Sequence, residues 1–271
     1  MIGAAAVADV LERNNVTQLG DERSPAMVFA HGYGSSQNMW RLVAPDFADD
    51  HRVVLFDLVG SGASDLSAYD RSKYDSLHGY AADLLEIIRE LDLCDVVYVG
   101  HSVSAMIGVL AAIEEPDRFK ALILVGASPR YVNDGDYPGG FEAEDIDALL
   151  DALDANYLSW AETMSPVFMG NADRPELTQE LNDSFAQTDN AVARHFARVT
   201  FLSDMRHHLR EVTTPTLILQ STDDVVAPVA VGEYIRAQIP GSELAVLDAG
   251  GHYAHLSSPE ELLGHIRRFL A

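Results

Sequence analysis

Six short apolar runs alternate with stretches of helical period along most of the 271 residues. This alternation constrains the fold more than any other feature of the chain. The runs are MVFAHG (27–32), RVVLFD (52–57), DVVYVG (95–100), KALILVG (120–126), PTLILQ (215–220) and ELAVLD (243–248). Several are continuous rather than alternating, as in strands covered on both faces. Helical patterns occupy 36–48, 78–91, 103–115, 229–238 and 259–270. Such an order predicts an α/β protein with a mostly parallel sheet and helices on both faces. The rhythm breaks between about Asn133 and Ser203, where residues 143–158, 160–168, 175–186 and 189–201 read as helices. Asp189 suits an N-cap and Pro175 a first helical turn. The expectation is a helical lid inserted into the sheet domain and introduced by the loop DYPGGF at 136–141.

The chemistry starts at VVYVGHSVSAMIGVLAA (96–112), where a strand pattern runs into Gly100-His101-Ser102-Val103-Ser104 and a helical pattern follows at once. A strand–turn–helix of this kind is the setting of a nucleophile elbow, with the serine hydroxyl raised above the strand ends. The common motif is G-x-S-x-G. Ser104 stands where the last glycine falls, and its small side chain still suits the close approach of helix and strand. On this segment alone, Ser102 reads either as a nucleophile or as a helix N-cap.

Two further segments favour the nucleophile. His31-Gly32-Tyr33-Gly34 follows the first apolar run; such a loop can present the backbone N–H of Tyr33 beside the elbow, and the N–H of Val103 supplies a second donor for an oxyanion. His31 reads as a residue that fixes the loop. In ELAVLDAGGHYAHLSSPEEL, His252 follows a strand pattern in a Gly-Gly-His loop, and His255 sits where packing or capping is expected. The order Ser…Asp…His is that of α/β-hydrolases. PTLILQSTDDVVAP places Asp223 and Asp224 between them. Adjacent side chains diverge, so only one can hold the imidazole, and Asp224 is the candidate.

The chain carries 18 basic and 42 acidic residues, a net charge of −24, with Lys73 and Lys120 its only lysines. Nucleic acid and anionic membranes are poor partners for such a surface, which also suits surroundings where salt screens self-repulsion. No apolar run reaches the roughly 18–20 residues of a membrane span. The N-terminal MIGAAAVADVLERNNV lacks the basic start of a secretion signal, so a cytoplasmic location is expected. Cys94 is the single cysteine; an internal disulfide is excluded, and a small buried core residue is expected. His207-His208 and the scattered aspartates lack metal-ligand spacing, and there is no HExxH. Gly60-Ser61-Gly62 reads as a tight turn rather than a phosphate loop. No metal or organic cofactor is called for.

Taken together, HGYGSSQNMW, HRVVLFDLVGSGASDLSAYD, YVGHSVSAMIGVLA, ASPRYVNDGDYPGGFE, SDMR and GHYAHLSSP resemble the RsbQ-type hydrolases of bacteria and the karrikin and strigolactone receptors of plants. The resemblance runs from about Asn14 to the C-terminus. It implies a triad of Ser102, Asp224 (the acid before an x-x-[VA]-P tail ending at Pro228) and His252. It also implies a four-helix V-shaped lid over a small hydrophobic pocket. Tyr33 falls at a position that is usually Phe. With it, Phe141, Trp160 and His101 are candidates for the pocket lining. The expected architecture is an α/β-hydrolase fold with a mostly parallel eight-stranded sheet. Residues 1–132 and 204–271 form its core and 133–203 its lid. The expected ligand is a small hydrophobic ester or butenolide-like lactone. The resemblance further implies slow hydrolysis coupled to signalling, with a PAS-domain phosphatase in a stress pathway as a possible bacterial partner. A plain metabolic esterase is the alternative.

Overall fold

The computed structural model describes residues 9–271; the first half of the N-terminal stretch read above for a secretion signal lies outside them. Seven strands form one sheet: β1 (Thr17–Leu19), β2 (Ala26–Ala30), β3 (Arg52–Phe56), β4 (Val96–His101), β5 (Phe119–Val125), β6 (Thr216–Asp223) and β7 (Glu243–Gly250). Their order is β1-β3-β2-β4-β5-β6-β7. β1 runs antiparallel to β3 and every other neighbouring pair is parallel. The expected count of eight is therefore corrected to seven among the described residues. The six apolar runs all became strands. β1 is a three-residue edge strand, exposed for the most part and without an apolar run of its own, so no sequence period marks it. The chain just before it is helical, α1 (Val10–Arg13), capped by the Asp9 carboxylate.

The helices of the sheet domain are α2 (Leu77–Glu90), α3 (Val103–Glu114), α8 (Val229–Gln238), α9 (Ala254–Ser257) and α10 (Pro259–Leu270). One apolar layer packs each face of the sheet. Val28, Val54, Tyr98, Leu122 and Ile218 point to one side with α2, α3 and α8, and Met27, Phe29, Val53, Val97 and Ile123 to the other with α10. This two-sided burial is the reason the strands read as continuous apolar runs. The helix expected over 36–48 is instead two short 3₁₀ turns, Gln37–Trp40 and Ala44–Phe47. Pro45 in the second has no N–H to donate to a helix continuing from the first. Cys94 is exposed rather than buried. The strand begins two residues later, and Asp95 between them has φ of 50°, a left-handed conformation that no strand continues through.

Between β5 and β6 lie α4 (Ala143–Ala155), α5 (Tyr157–Met169), α6 (Pro175–Gln187) and α7 (Asn190–Phe201). α4 packs against α5 and α7, and α5 against α6. Asn156 and Asp189 cap α5 and α7, and Pro175 opens α6. Where the chain leaves the sheet domain and where it returns, charged residues tie the two crossings together. Arg130 reaches Asp204 at 2.7 Å, and Arg206 reaches both Asp204 and Asp134 at 2.7 Å. The two guanidinium groups hold the Asp204 carboxyl well below the usual carboxylate range, with Arg206 as the larger cause. Further contacts fasten the helices to the sheet domain, among them Arg41 to Glu180 at 2.6 Å and the Tyr69 hydroxyl to His195 at 2.7 Å. None of the helices among the described residues is long and apolar enough to cross a membrane.

Candidate active site

Because β2, β4, β6 and β7 are parallel, the loops that follow them emerge on one edge of the sheet, where ligands of open α/β sheets bind. These loops carry Tyr33, Ser102, Asp224 and His252, residues far apart in sequence. Ser102 follows β4 directly and has φ of 57° and ψ of −123°. That is a strained conformation for a residue with a side chain, and it lifts the hydroxyl off the strand axis before α3 begins. The turn is permitted by what lies beside it. A Cβ on Gly100 would come within 2.6 Å of the Ser104 carbonyl oxygen, and one on Gly32 within 2.6 Å of His101 Nδ1. Only glycine allows both approaches.

Ser104 takes up the position of the missing motif glycine. Its hydroxyl donates to the His31 carbonyl and so ties the elbow to the loop after β2. His31 fixes that loop from within. Its Nε2 accepts the Leu58 N–H at 3.0 Å while its Nδ1 donates to the Gly32 carbonyl at 2.8 Å. Burial pushes its pKa down, in keeping with the neutral tautomer these bonds require. The backbone amides of Tyr33 and Val103 are taken by no turn, loop or side-chain acceptor among the described residues. Val103 is the first residue of α3, where N–H groups are free by the geometry of a helix. Gly60-Ser61-Gly62 is a tight turn with positive φ at both glycines.

The structure brings Ser102, His252 and Asp224 into one line. Ser102 Oγ lies 2.8 Å from His252 Nε2, and His252 Nδ1 lies 2.7 Å from Asp224 Oδ2. The other Asp224 oxygen accepts the N–H groups of Val226 and Ala227 at 2.8 and 3.1 Å. That clamps the carboxylate and leaves Oδ2 for the imidazole. Asp223 is exposed at the end of β6. The three aligned side chains are all buried, at 5 % exposure or less.

Above Ser102 the lining is Tyr33, Tyr131, Phe168, Phe185, Thr200, Phe201, Val226 and Tyr253. The cavity has a volume of about 20 Å³, room for about one water molecule. Tyr33 forms one wall of it. Its ring contacts those of Trp160, Phe185, Phe196 and Phe201, and its hydroxyl donates to the Ala193 carbonyl of α7 at 3.0 Å.

The other three sequence candidates do not line this cavity. Phe141 and Trp160 border a separate outer groove of about 570 Å³ between α4 and α5. Phe141 precedes α4 and is held by a bridge to Val132, and Trp160 meets Tyr33 from the outer side. His101 turns behind the site, where its Nε2 donates to the His252 carbonyl at 2.9 Å. Tyr131, Phe168, Phe185, Thr200, Phe201, Val226 and Tyr253 escaped the sequence reading. Each sits in a helix or loop where an apolar or hydroxyl residue reads equally well as packing, and no spacing separates the two uses.

Behind His252 lie two further buried histidines, His101 and His255. His255 is fully buried against Trp40, 4.4 Å between ring centroids, with His101 4.5 Å away. Neither ring nitrogen of His255 has a hydrogen-bond partner among the described residues. Burial is the main cause pushing its pKa down to about 3, and burial likewise depresses that of His101. A histidine whose folded pKa lies below its unfolded value of about 6.5 favours the fold fully above pH 6.5. That advantage is lost progressively as pH falls from about 6.5 towards 3. Acid also relieves the repulsion of a chain at −24, so the histidine effect is read as a difference. His255→Phe should gain in melting temperature relative to wild type between pH 7.5 and 5. A wild-type-minus-variant gap that does not move with pH contradicts the assignment of His255 as a buried neutral base.

Comparison with known proteins agrees with the geometry. Residues 25–259 match the model of the alpha/beta hydrolase fold family, and the chain belongs to that family. It is an esterase-class member, similar to receptors and esterases of the karrikin and strigolactone type. It is 40 % identical to the Karrikin insensitive 2 receptor CA of Petunia hybrida and 38 % identical to the strigolactone esterase D14 of Arabidopsis thaliana; each match covers 97 % of this chain and 98 % of the relative. A solved structure of a hydrolase from Oleispira antarctica superposes with a TM-score of 0.94 at 39 % identity, over 100 % of this chain and 99 % of that one.

Proposed function

We propose that this protein hydrolyses small hydrophobic esters or lactones, butenolide-like ones among them, through Ser102, His252 and Asp224, and that it does so slowly, as a ligand-responsive hydrolase. The observation that carries the reading is the unbroken hydrogen-bonded line from Asp224 through His252 to Ser102 beneath a narrow, mainly aromatic cavity. In the proposed reaction His252 Nε2 takes the Ser102 proton as Oγ attacks the carbonyl carbon. The oxyanion is held by the N–H groups of Tyr33 and Val103. Collapse breaks the ester bond, and His252 returns the proton to the leaving oxygen. Water, deprotonated by His252, then releases the acid.

The narrow cavity favours the responsive reading over a plain metabolic esterase. Phe168, Phe185, Thr200 and Phe201 of the helices 133–203 line it, so a substrate larger than water displaces side chains on those helices, and ligand binding is linked to their state. A signalling partner, for which a PAS-domain phosphatase is the candidate implied by sequence resemblance, reads the altered lid surface.

Turnover of p-nitrophenyl acetate and of a butenolide ester is expected well below the common enzyme value of about 10 s⁻¹. Hydrogen exchange across 133–203 should change when the butenolide binds, in wild type and in Ser102→Ala alike. Fast turnover with an unchanged lid in both proteins leaves the metabolic esterase as the better reading.

A further inference from the structure

His252, the proposed base, is held in part by residues on the helices between β5 and β6. It sits in the segment 250–257, which runs from the last residue of β7 to the last of α9. Gly250 and Gly251 precede it, so local backbone preference does little to fix its place. On the carbonyl side the sheet domain holds it, through His101 Nε2 at 2.9 Å. On the amide side its N–H donates to the Phe168 carbonyl of α5 at 2.8 Å.

The corner that joins α5 to α6 closes on both ends of this segment. Asn171 Nδ2 donates to the Met169 carbonyl at the end of its own helix and to the Gly250 carbonyl, each at 2.8 Å. Arg174, just before α6, donates from one guanidinium nitrogen to Asn171 Oδ1 at 2.6 Å and to the Ser257 carbonyl at 2.9 Å. The two backbones meet with no side chain between them, since a Cβ on Gly251 would lie 1.9 Å from the Met169 carbonyl oxygen. Asn171 has φ of 50°, a left-handed conformation that asparagine enters more readily than most residues. Other ties to these helices, Arg41 to Glu180 and Tyr69 to His195, start from segments that carry no member of the triad. Asn171 and Arg174 reach the base's own segment. In a chain with 42 acidic residues, the Arg174 guanidinium serves two neutral oxygens of this corner.

We infer that Asn171 and Arg174 are positioning residues for His252. They fix the segment 250–257 so that Nε2 stays within reach of the Ser102 hydroxyl, 2.8 Å away. The inference rests on the hydrolytic reading above and adds to it. Neither residue lines the cavity above Ser102, so their effect passes through the base. The proton transfers of acylation and of deacylation both go through His252 Nε2. A displaced imidazole therefore slows both steps and leaves binding as it was. A misplacement of about 1 Å can cost on the order of 10² in rate.

The test measures kcat and KM for p-nitrophenyl acetate in wild type, Ser102→Ala, Asn171→Gly, Arg174→Ala and Arg174→Lys, at a temperature where melting curves show each protein folded. Asn171→Gly deletes the amide and keeps the left-handed backbone, which glycine adopts freely. It should lower kcat roughly tenfold to hundredfold and leave KM within about twofold of wild type. Arg174→Ala should lower kcat in the same way, and Arg174→Lys, whose ammonium can reach both oxygens, should recover most of the loss. An unchanged kcat in Asn171→Gly and Arg174→Ala overturns the inference. A loss that appears in KM instead also overturns it and assigns the corner to the shape of the cavity. If Asn171→Gly does not fold, the Arg174 pair decides: kcat lost with alanine and recovered with lysine supports the inference, and any other result overturns it. A wild type no faster than Ser102→Ala overturns the hydrolytic reading itself. A wild type that hydrolyses the ester and is matched by the corner variants overturns the inference alone.

Discussion

Ser102→Ala should lose on the order of 10⁴–10⁶ of the turnover on p-nitrophenyl acetate, with the fold intact. The size follows from the way triad members act as a unit: removing the nucleophile leaves only the contribution of binding and oxyanion stabilisation. The fold survives because the Ser102 hydroxyl makes a single hydrogen bond, to His252 Nε2, and its removal unpairs no backbone group. The strained φ of 57° is imposed by the surrounding β4–α3 turn and is shared by alanine. Burst kinetics and melting curves on purified wild type and variant read the two halves of this expectation. Turnover within tenfold of wild type rules out Ser102 as the nucleophile. A collapsed melting temperature with lost activity is resolved by Ser102→Cys, which keeps a nucleophilic atom at the same place.

Asp224→Asn should cost about 10⁴ in kcat, by analogy with other triads, whereas Asp223→Asn should cost little. The asparagine carbonyl can still accept the Val226 and Ala227 N–H groups, now held at 2.8 and 3.1 Å. Its NH₂ then faces His252 Nδ1 and offers a donor where an acceptor stood. The imidazole must turn its lone pair to that side and put its proton on Nε2, so it can no longer take the proton of Ser102. Stability should change little, since the backbone clamp persists, which separates a tautomer effect from loss of fold. Asp223 is exposed and touches none of this. If the two losses come out reversed, the acid is Asp223 and the mechanism above fails at that residue.

The resemblance to receptors and the narrow cavity meet in one physical point. Under the proposed function, a cavity of about 20 Å³ must widen for each ester it takes, and a difference in affinity between two states of the helices 133–203 would be what lets a ligand act as a signal. On that proposal, the ties from the sheet to these helices are what must loosen. Tyr33 to Ala193 is the one that starts inside the cavity, and its acceptor is a carbonyl within α7.

The sequence by itself determined the sheet and its burial. Continuous apolar runs such as those at β2, β4 and β5 are satisfied by strands covered on both faces, and the break after β5 reads as helices. It also singled out the loops of Ser102 and His252 as candidates, because the turn around Ser102 and the Gly-Gly approach to His252 need small residues at fixed places. Local period could not reveal β1, whose three residues gain their order from the neighbouring β3. Nor could it break 36–48 into two 3₁₀ turns or expose Cys94, where single residues such as Pro45 and Asp95 override the window around them. Tertiary structure alone decided the cavity. Tyr131, Thr200, Phe168 and Phe185 come from four separate segments, and each side chain is as ordinary in a core as in a binding site. Phe141 and Trp160 fell to an outer groove, and His101 behind His252, for the same reason. Sequence spacing states that a residue is buried on one face of its element. What it is buried against depends on how the elements pack, and there the cavity was settled.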